Sequence, residues 1–137
     1  MSFTGPTDDI IVQEGTFAYN FQASGTIVGG QAVEVQDTLK VAAPLGAKLQ
    51  DNNDKIIGVA AYDVTDKEYV AVYGPGNICR VIISGASNCT VGDILIPSCE
   101  GKFANKNTAG SPCASGLKAI ALETKATNNA TARVLLI

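Results

Sequence analysis

Glu68-Tyr69-Val70-Ala71-Val72-Tyr73-Gly74-Pro75-Gly76-Asn77-Ile78-Cys79-Arg80-Val81-Ile82-Ile83 is the stretch that decides the fold class. From Glu68 to Tyr73 the residue types alternate: Tyr69, Ala71 and Tyr73 project to one side and Val70 and Val72 to the other, the period-two signature of a half-buried strand. Pro75 fixes φ and Gly76 accepts a positive φ, so a turn follows. The run from Ile78 to Ile83 is again rich in β-branched residues. Residues 68–84 are therefore expected to form a β-hairpin.

Working outward, turn signals recur about every 8 to 12 residues, at Gly25, Gly29-Gly30, residues 44–46, residues 51–54, Gly85, Gly92-Asp93, Pro97, Gly101, residues 110–112 and Gly116. That spacing leaves no room for long helices and predicts an all-β domain, a compact barrel or sandwich. Segment 117–126 carries Ala, Leu, Lys and Glu, which favour helix. Its place between Gly116 and the Asn128-Asn129 turn favours a strand pairing with residues 131–137, and strand is the reading adopted. A short helical turn fits only residues 65–67 or 110–116. No internal repeat is visible in the residues, and the expected organisation is an extended N-terminal arm over 1–20 followed by one β-barrel-like domain over 21–137.

Composition removes whole classes of function. The chain has 137 residues, 46% hydrophobic and 17% charged, with ten Lys and Arg against thirteen Asp and Glu. Such a length supports one buried core without staples, and no basic surplus exists to neutralise nucleic-acid phosphates. The start lacks the cationic and apolar stretches of a signal peptide, and no apolar run is long enough to span a bilayer as a helix. Histidine is absent, which removes the commonest general base and metal ligand together. Cys79, Cys89, Cys99 and Cys113 form no Cys-x-x-Cys pair, so zinc is disfavoured. Free, mostly buried thiols are the primary reading and disulfides the alternative.

Motifs that could carry chemistry each have a plainer explanation. Gly25-Thr26-Ile27-Val28-Gly29-Gly30 lacks the Lys and hydroxyl residue of a phosphate loop and opens toward a strand at Ala32 to Val35, so it reads as a turn. Asp51-Asn52-Asn53-Asp54 has Ile56 and Tyr62 where a calcium loop needs Gly and Glu. Asp63, Asp66 and Glu68 lack a pocket to raise a pKa and read as a solvated loop edge, while Ser84, Ser87 and Thr90 lack a histidine partner. No catalytic, cofactor-binding or metal-ligating residues are assigned, and no enzymatic activity is expected. Phe17, Tyr19 and Phe21 alternate on one strand face, equally suited to core packing and to anchoring a partner.

Taken as an ordered set, Ile57-Gly58-Val59-Ala60, residues 63–69, the valine-rich segment after them, Val91-Gly92-Asp93-Ile94-Leu95 with Gly101, Ala119-Ile120-Ala121-Leu122-Glu123 and Val134-Leu135-Leu136 resemble the small capsid cement, or decoration, proteins of tailed bacteriophages. These include a group sometimes mislabelled a RecA-like recombinase, a label at odds with the missing phosphate loop. The resemblance implies a β-barrel-like virion protein made in the host cytoplasm. It would bind the exterior of an icosahedral head through the major capsid protein, commonly as a homotrimer, with no cofactor, nucleic acid or membrane. The candidate partner-binding residues are then Phe3, Ile10, Ile11 and Val12 of the arm with Phe17, Tyr19 and Phe21. A carbohydrate- or surface-binding β module and, more distantly, a small hydrolase are the competing readings.

Overall fold

The computed structural model describes residues 18–43, 56–84, 88–97, 101–106, 117–125 and 131–137. Among these residues there is no helix, and the fold is all-β. The strands are β1 (Ala18–Ala23), β2 (Ala32–Asp37), β3 (Lys40–Ala42), β4 (Ile56–Ala60), β5 (Tyr69–Tyr73), β6 (Ile78–Ile82), β7 (Ile94–Pro97), β8 (Phe103–Asn105), β9 (Ala119–Ala121) and β10 (Thr131–Leu136). The first five close into a barrel in the order β1-β3-β2-β4-β5, and the last five form a sheet in the order β6-β10-β9-β7-β8. Because β1 begins at Ala18, residues 18–20, expected in the arm, stand in the barrel wall. The rest of that arm lies outside the described residues.

The alternation read in Tyr69–Tyr73 is present, with Val70 and Val72 buried in the barrel. The hairpin is not. β5 pairs with β1 and β4, whereas β6 pairs with β10. The turn at Pro75 and Gly76 hands the chain from barrel to sheet, and its amides are used accordingly: Gly76 N donates to Leu136 O at 2.7 Å, and Asn77 O accepts from Leu136 N. Turn chemistry reports only that the chain reverses; which strand edges remain open is decided by the whole sheet. Segment 117–126 does contribute a strand, β9, antiparallel to β10. Residues 65–67 form a turn, not helix, with Lys67 at φ 72° and Asp66 and Glu68 holding loop amides. Residues 110–116 are outside the described set.

The two five-stranded halves have the same topology, a repeat that the sequence reading missed. Matching β1–β5 in order to β6–β10 turns the ring β1-β5-β4-β2-β3 into β6-β10-β9-β7-β8. Every pairing keeps its sense, including the parallel one: Ala23↔Val41 in the first half answers to Ile83↔Phe103 in the second. The isolated bridge Ile27↔Val64 corresponds to Cys89↔Lys125. Loop hydrogen bonds repeat as well. Gly30 N donates to Ala60 O and Gly92 N to Ala121 O, both at 2.8 Å. Gly30 and Gly92 share a left-handed φ, 89° and 92°. Even side-chain acceptors recur: Gly29 N to Asp63 Oδ1 matches Val91 N to Thr124 Oγ1, and Val28 N to Gln31 Oε1 matches Thr90 N to Asp93 Oδ2.

The halves differ at one seam. In the barrel, Gln22 N donates to Leu39 O at 3.0 Å and helps close β1 on β3. At the corresponding place in the second half, Ile82 N donates to Gly30 O and Gly101 O accepts from Ala32 N, so residues 30–32 of the first half sit between β6 and β8. Gly101 has φ 83°, and a Cβ there would lie 2.6 Å from Gln31 Cγ and 3.1 Å from Ala32 O. Strands β2 and β4 consequently serve two cores: Val33 and Ala60 pack into the barrel, and Ala32, Ile56 and Val59 join Val81, Leu95, Phe103 and Leu136 in the second core. This explains why Ile56–Ala60 is apolar throughout: both of its faces are covered.

Within the barrel, β4 approaches β5 so closely that a Cβ on Gly58 would collide with Tyr73 O and lie 2.7 Å from Val72 Cγ1. The matching residue in the second half is Ala119. Gly58→Ala should lower stability by about 1–3 kcal/mol through overpacking, and Ala119→Gly by about 1 kcal/mol. Urea unfolding of both variants checks this, and a Gly58→Ala protein as stable as the wild type would show that the close approach is unimportant.

Candidate interaction surface

An open cleft of about 660 Å³ lies where barrel and second sheet meet. Gly29, Tyr62, Asp63 and Tyr73 line it from the barrel, and Cys79, Arg80 and Thr131 from the second half. Acidic side chains in and near it hold loops together. Asp63 Oδ1 accepts from Gly29 N at 2.8 Å, which ties the 24–31 loop to the 61–68 loop. Asp66 Oδ1 does the same for Gly25 N, and Glu68 Oε1 accepts from Thr65 N and Thr65 Oγ1. The Thr65 backbone hydrogen bond, then the hydroxyl, holds the Glu68 carboxyl below its ordinary range. The three acidic residues thus form the loop edge expected of them, each fastening a turn.

Arg80 Nη1 meets Glu123 Oε1 at 3.4 Å, and the same carboxylate oxygen accepts from Arg133 N at 2.7 Å. The ion pair is partly exposed, so its net worth is about 0–1 kcal/mol. Tyr62 Oη donates to Tyr69 O at 3.4 Å, and burial pushes the Tyr73 phenol upward. Cys79 and Cys89 are free and buried, whereas Cys99 and Cys113 lie outside the described residues. Burial pushes the Cys79 thiol up to about 12, so it is protonated near neutral pH and is no nucleophile. Burial also raises the Cys89 thiol, whose Sγ donates to Glu123 O. No group of three metal-ligating side chains occurs among the described residues. The cleft offers shape, the rings of Tyr62 and Tyr73, and the charged side chains of Asp63 and Arg80.

Of the candidate partner-binding residues, Phe3, Ile10, Ile11, Val12 and Phe17 lie outside the described residues. Tyr19 and Phe21 share a face of β1, opposite Val72 and Val70. Phe21 is half-buried against the barrel core, the packing role weighed for it, while Tyr19 is exposed. Sequence reading did not single out other exposed apolar side chains: Leu39, Val91 and Leu122 fall in loops where no periodicity marks them, and Tyr69 stands on the outward side of the alternating strand.

No family model matches the chain, and no curated protein matches it. Among solved structures, it is similar to the N base of head fiber gp8.5 in bacteriophage phi29. The likeness has a TM-score of 0.57 at 18% identity and covers 88% of this chain and 92% of that one. The two proteins share a fold over nearly their whole compared lengths.

The buried thiol gives a pH test. A thiol with an ordinary pKa of 9.0 when unfolded and about 12 when folded favours the native state fully below pH 9. That contribution declines as pH rises from about 9 through about 12. Cys79→Ala should therefore flatten the loss of stability between pH 9 and 12 in urea titrations, and an unchanged slope would remove Cys79 as its source.

Proposed function

We propose that this protein is a structural component of a phage virion that binds the outer surface of the head through the major capsid protein, as a decoration or cement protein. The observation carrying this reading is the likeness to a phage head fiber base over 88% of the chain. The ordered motifs from Ile57 to Leu136 support it from the sequence side. The acidic loop edge fits a structural role: Asp63, Asp66 and Glu68 each hold a loop amide. Such a protein acts on the capsid as a homotrimer or other homo-oligomer. It stabilises the shell by binding the assembled lattice in preference to free subunits, so its contribution follows mass action. Many copies allow each contact to be of ordinary size, about 1,200–2,000 Å² of total buried surface.

The arm is assigned much of that contact through Phe3, Ile10, Ile11 and Val12. Purified heads lacking the protein, mixed with it and sedimented through a density gradient, should carry the full-length chain as a saturable component. Deletion of residues 1–14 should lower occupancy by at least tenfold at equal concentration. Absence of the full-length chain from the head fraction would overturn head binding, and unchanged occupancy by the deletion would overturn the role of the arm.

A further inference from the structure

The cleft between the halves is bordered by small residues at places where the repeat carries large ones. Ala61 N donates to Ala71 O as Leu122 N donates to Arg133 O, which matches Ala61 to Leu122 and Ala71 to Arg133. At these two positions the cleft wall presents only a methyl group. The resulting concavity of about 660 Å³ falls inside the roughly 300–1,000 Å³ of small-molecule sites, which favour such joints between packed units.

Around that wall stand the groups that a sugar ring needs. One face of a pyranose is a row of C–H groups, and its rim carries hydroxyls that each donate and accept, so it calls for an aromatic ring beside mixed donors and acceptors. Tyr62 is 48% exposed, and its hydroxyl, bonded to Tyr69 O at 3.4 Å, ties the ring to β5. Tyr73 lines the same wall; burial pushes its phenol upward, so the hydroxyl stays protonated and can donate as well as accept. Asp63 commits Oδ1 to Gly29 N and keeps Oδ2 as an acceptor. From the second half, Arg80 brings Nη1 to Glu123 Oε1 and keeps its other N–H groups as donors, and Thr131 adds a hydroxyl. Asp63 and Arg80 are each held by one contact within the fold, which lowers the entropy lost when a ligand takes up the rest.

We infer that the cleft binds a neutral saccharide, with Tyr62 stacking on the sugar ring and Asp63 and Arg80 holding its hydroxyls. The same residues select against other ligands. Arg80 is paired with Glu123 and shares the cleft with Asp63, so the site has no cationic surplus to hold a phosphate or sulfate. A wholly apolar ligand would strip water from both charged side chains without replacing their hydrogen bonds. An added peptide strand finds no edge here: β5 is paired on both sides by β1 and β4, and β6 by β10 and residue 30. The inference does not rest on head binding, which is assigned to the arm and not to the cleft.

Saturation-transfer NMR and titration calorimetry on the full chain test it, with maltose, cellobiose, mannobiose, lactose and diacetylchitobiose as probes. At least one of these disaccharides should bind saturably. Tyr62→Ala and, separately, Arg80→Ala should weaken that binding by roughly tenfold or more, whereas Tyr62→Phe, which keeps the ring, should retain most of it. Ala61→Leu, which puts into the cleft wall the residue type found at Leu122, should abolish binding; if it also lowers the unfolding temperature, the Tyr62 pair and Arg80→Ala carry the test. Absence of saturable binding by every probe would overturn the inference. So would binding that survives both Tyr62→Ala and Arg80→Ala intact, or a preference for inorganic phosphate or a proline-rich peptide over every disaccharide.

Discussion

The insertion of residues 30–32 between β6 and β8 is the constraint on which the rest of the molecule depends. A parallel seam with unpaired amides inside a small protein carries a desolvation penalty unless something fills it. In the first half the chain fills it locally, through Gln22 and Leu39; in the second, Gly30 O and Ala32 N take the places of the missing partners. One exchange of hydrogen bonds therefore turns two copies of a single topology into a closed barrel and an opened sheet. It also fixes their relative placement, because Gly30 and Ala32 belong to the barrel while Ile82 and Gly101 belong to the sheet.

Packing follows from that placement. Ala32, Ile56 and Val59 would face solvent in an isolated barrel; docked, they complete the second core beside Phe103 and Leu136. The second half has the larger share of the fully buried large side chains, Phe103, Leu95, Ile83 and Leu136 among them. Among the described residues, the first half leaves more of its large apolar side chains exposed, Tyr19, Val28, Val35, Leu39, Tyr62 and Tyr69. Stability is thus unevenly shared: the barrel closes its own hydrogen bonds, and the sheet depends on the barrel both for its seam and for part of its core.

The all-β class, the strands around residues 70, 80, 95, 120 and 134, and the acidic loop edge were legible in the sequence because each rests on a local signal: alternation, β-branching or a turn residue. The pairing of residues 68–84 was not, since Gly74-Pro75-Gly76-Asn77 suits a hairpin and a crossover alike. The repeat was hidden for a different reason. Corresponding positions keep geometry and exchange chemistry: Gln31 with Asp93, Asp63 with Thr124 and Ile27 with Cys89 perform the same bond or bridge. What persists is sparse, chiefly Gly30 with Gly92 and Ala60 with Ala121.

An internal repeat with unlike halves also bears on how the junction between them is built. Covalent linkage gives the two halves a high effective concentration, so their junction can rely on backbone hydrogen bonds and small residues such as Gly30 and Gly101. The two halves therefore part in backbone pairing at this seam, while the loop hydrogen bonds that build each half are kept even where the residues that make them differ.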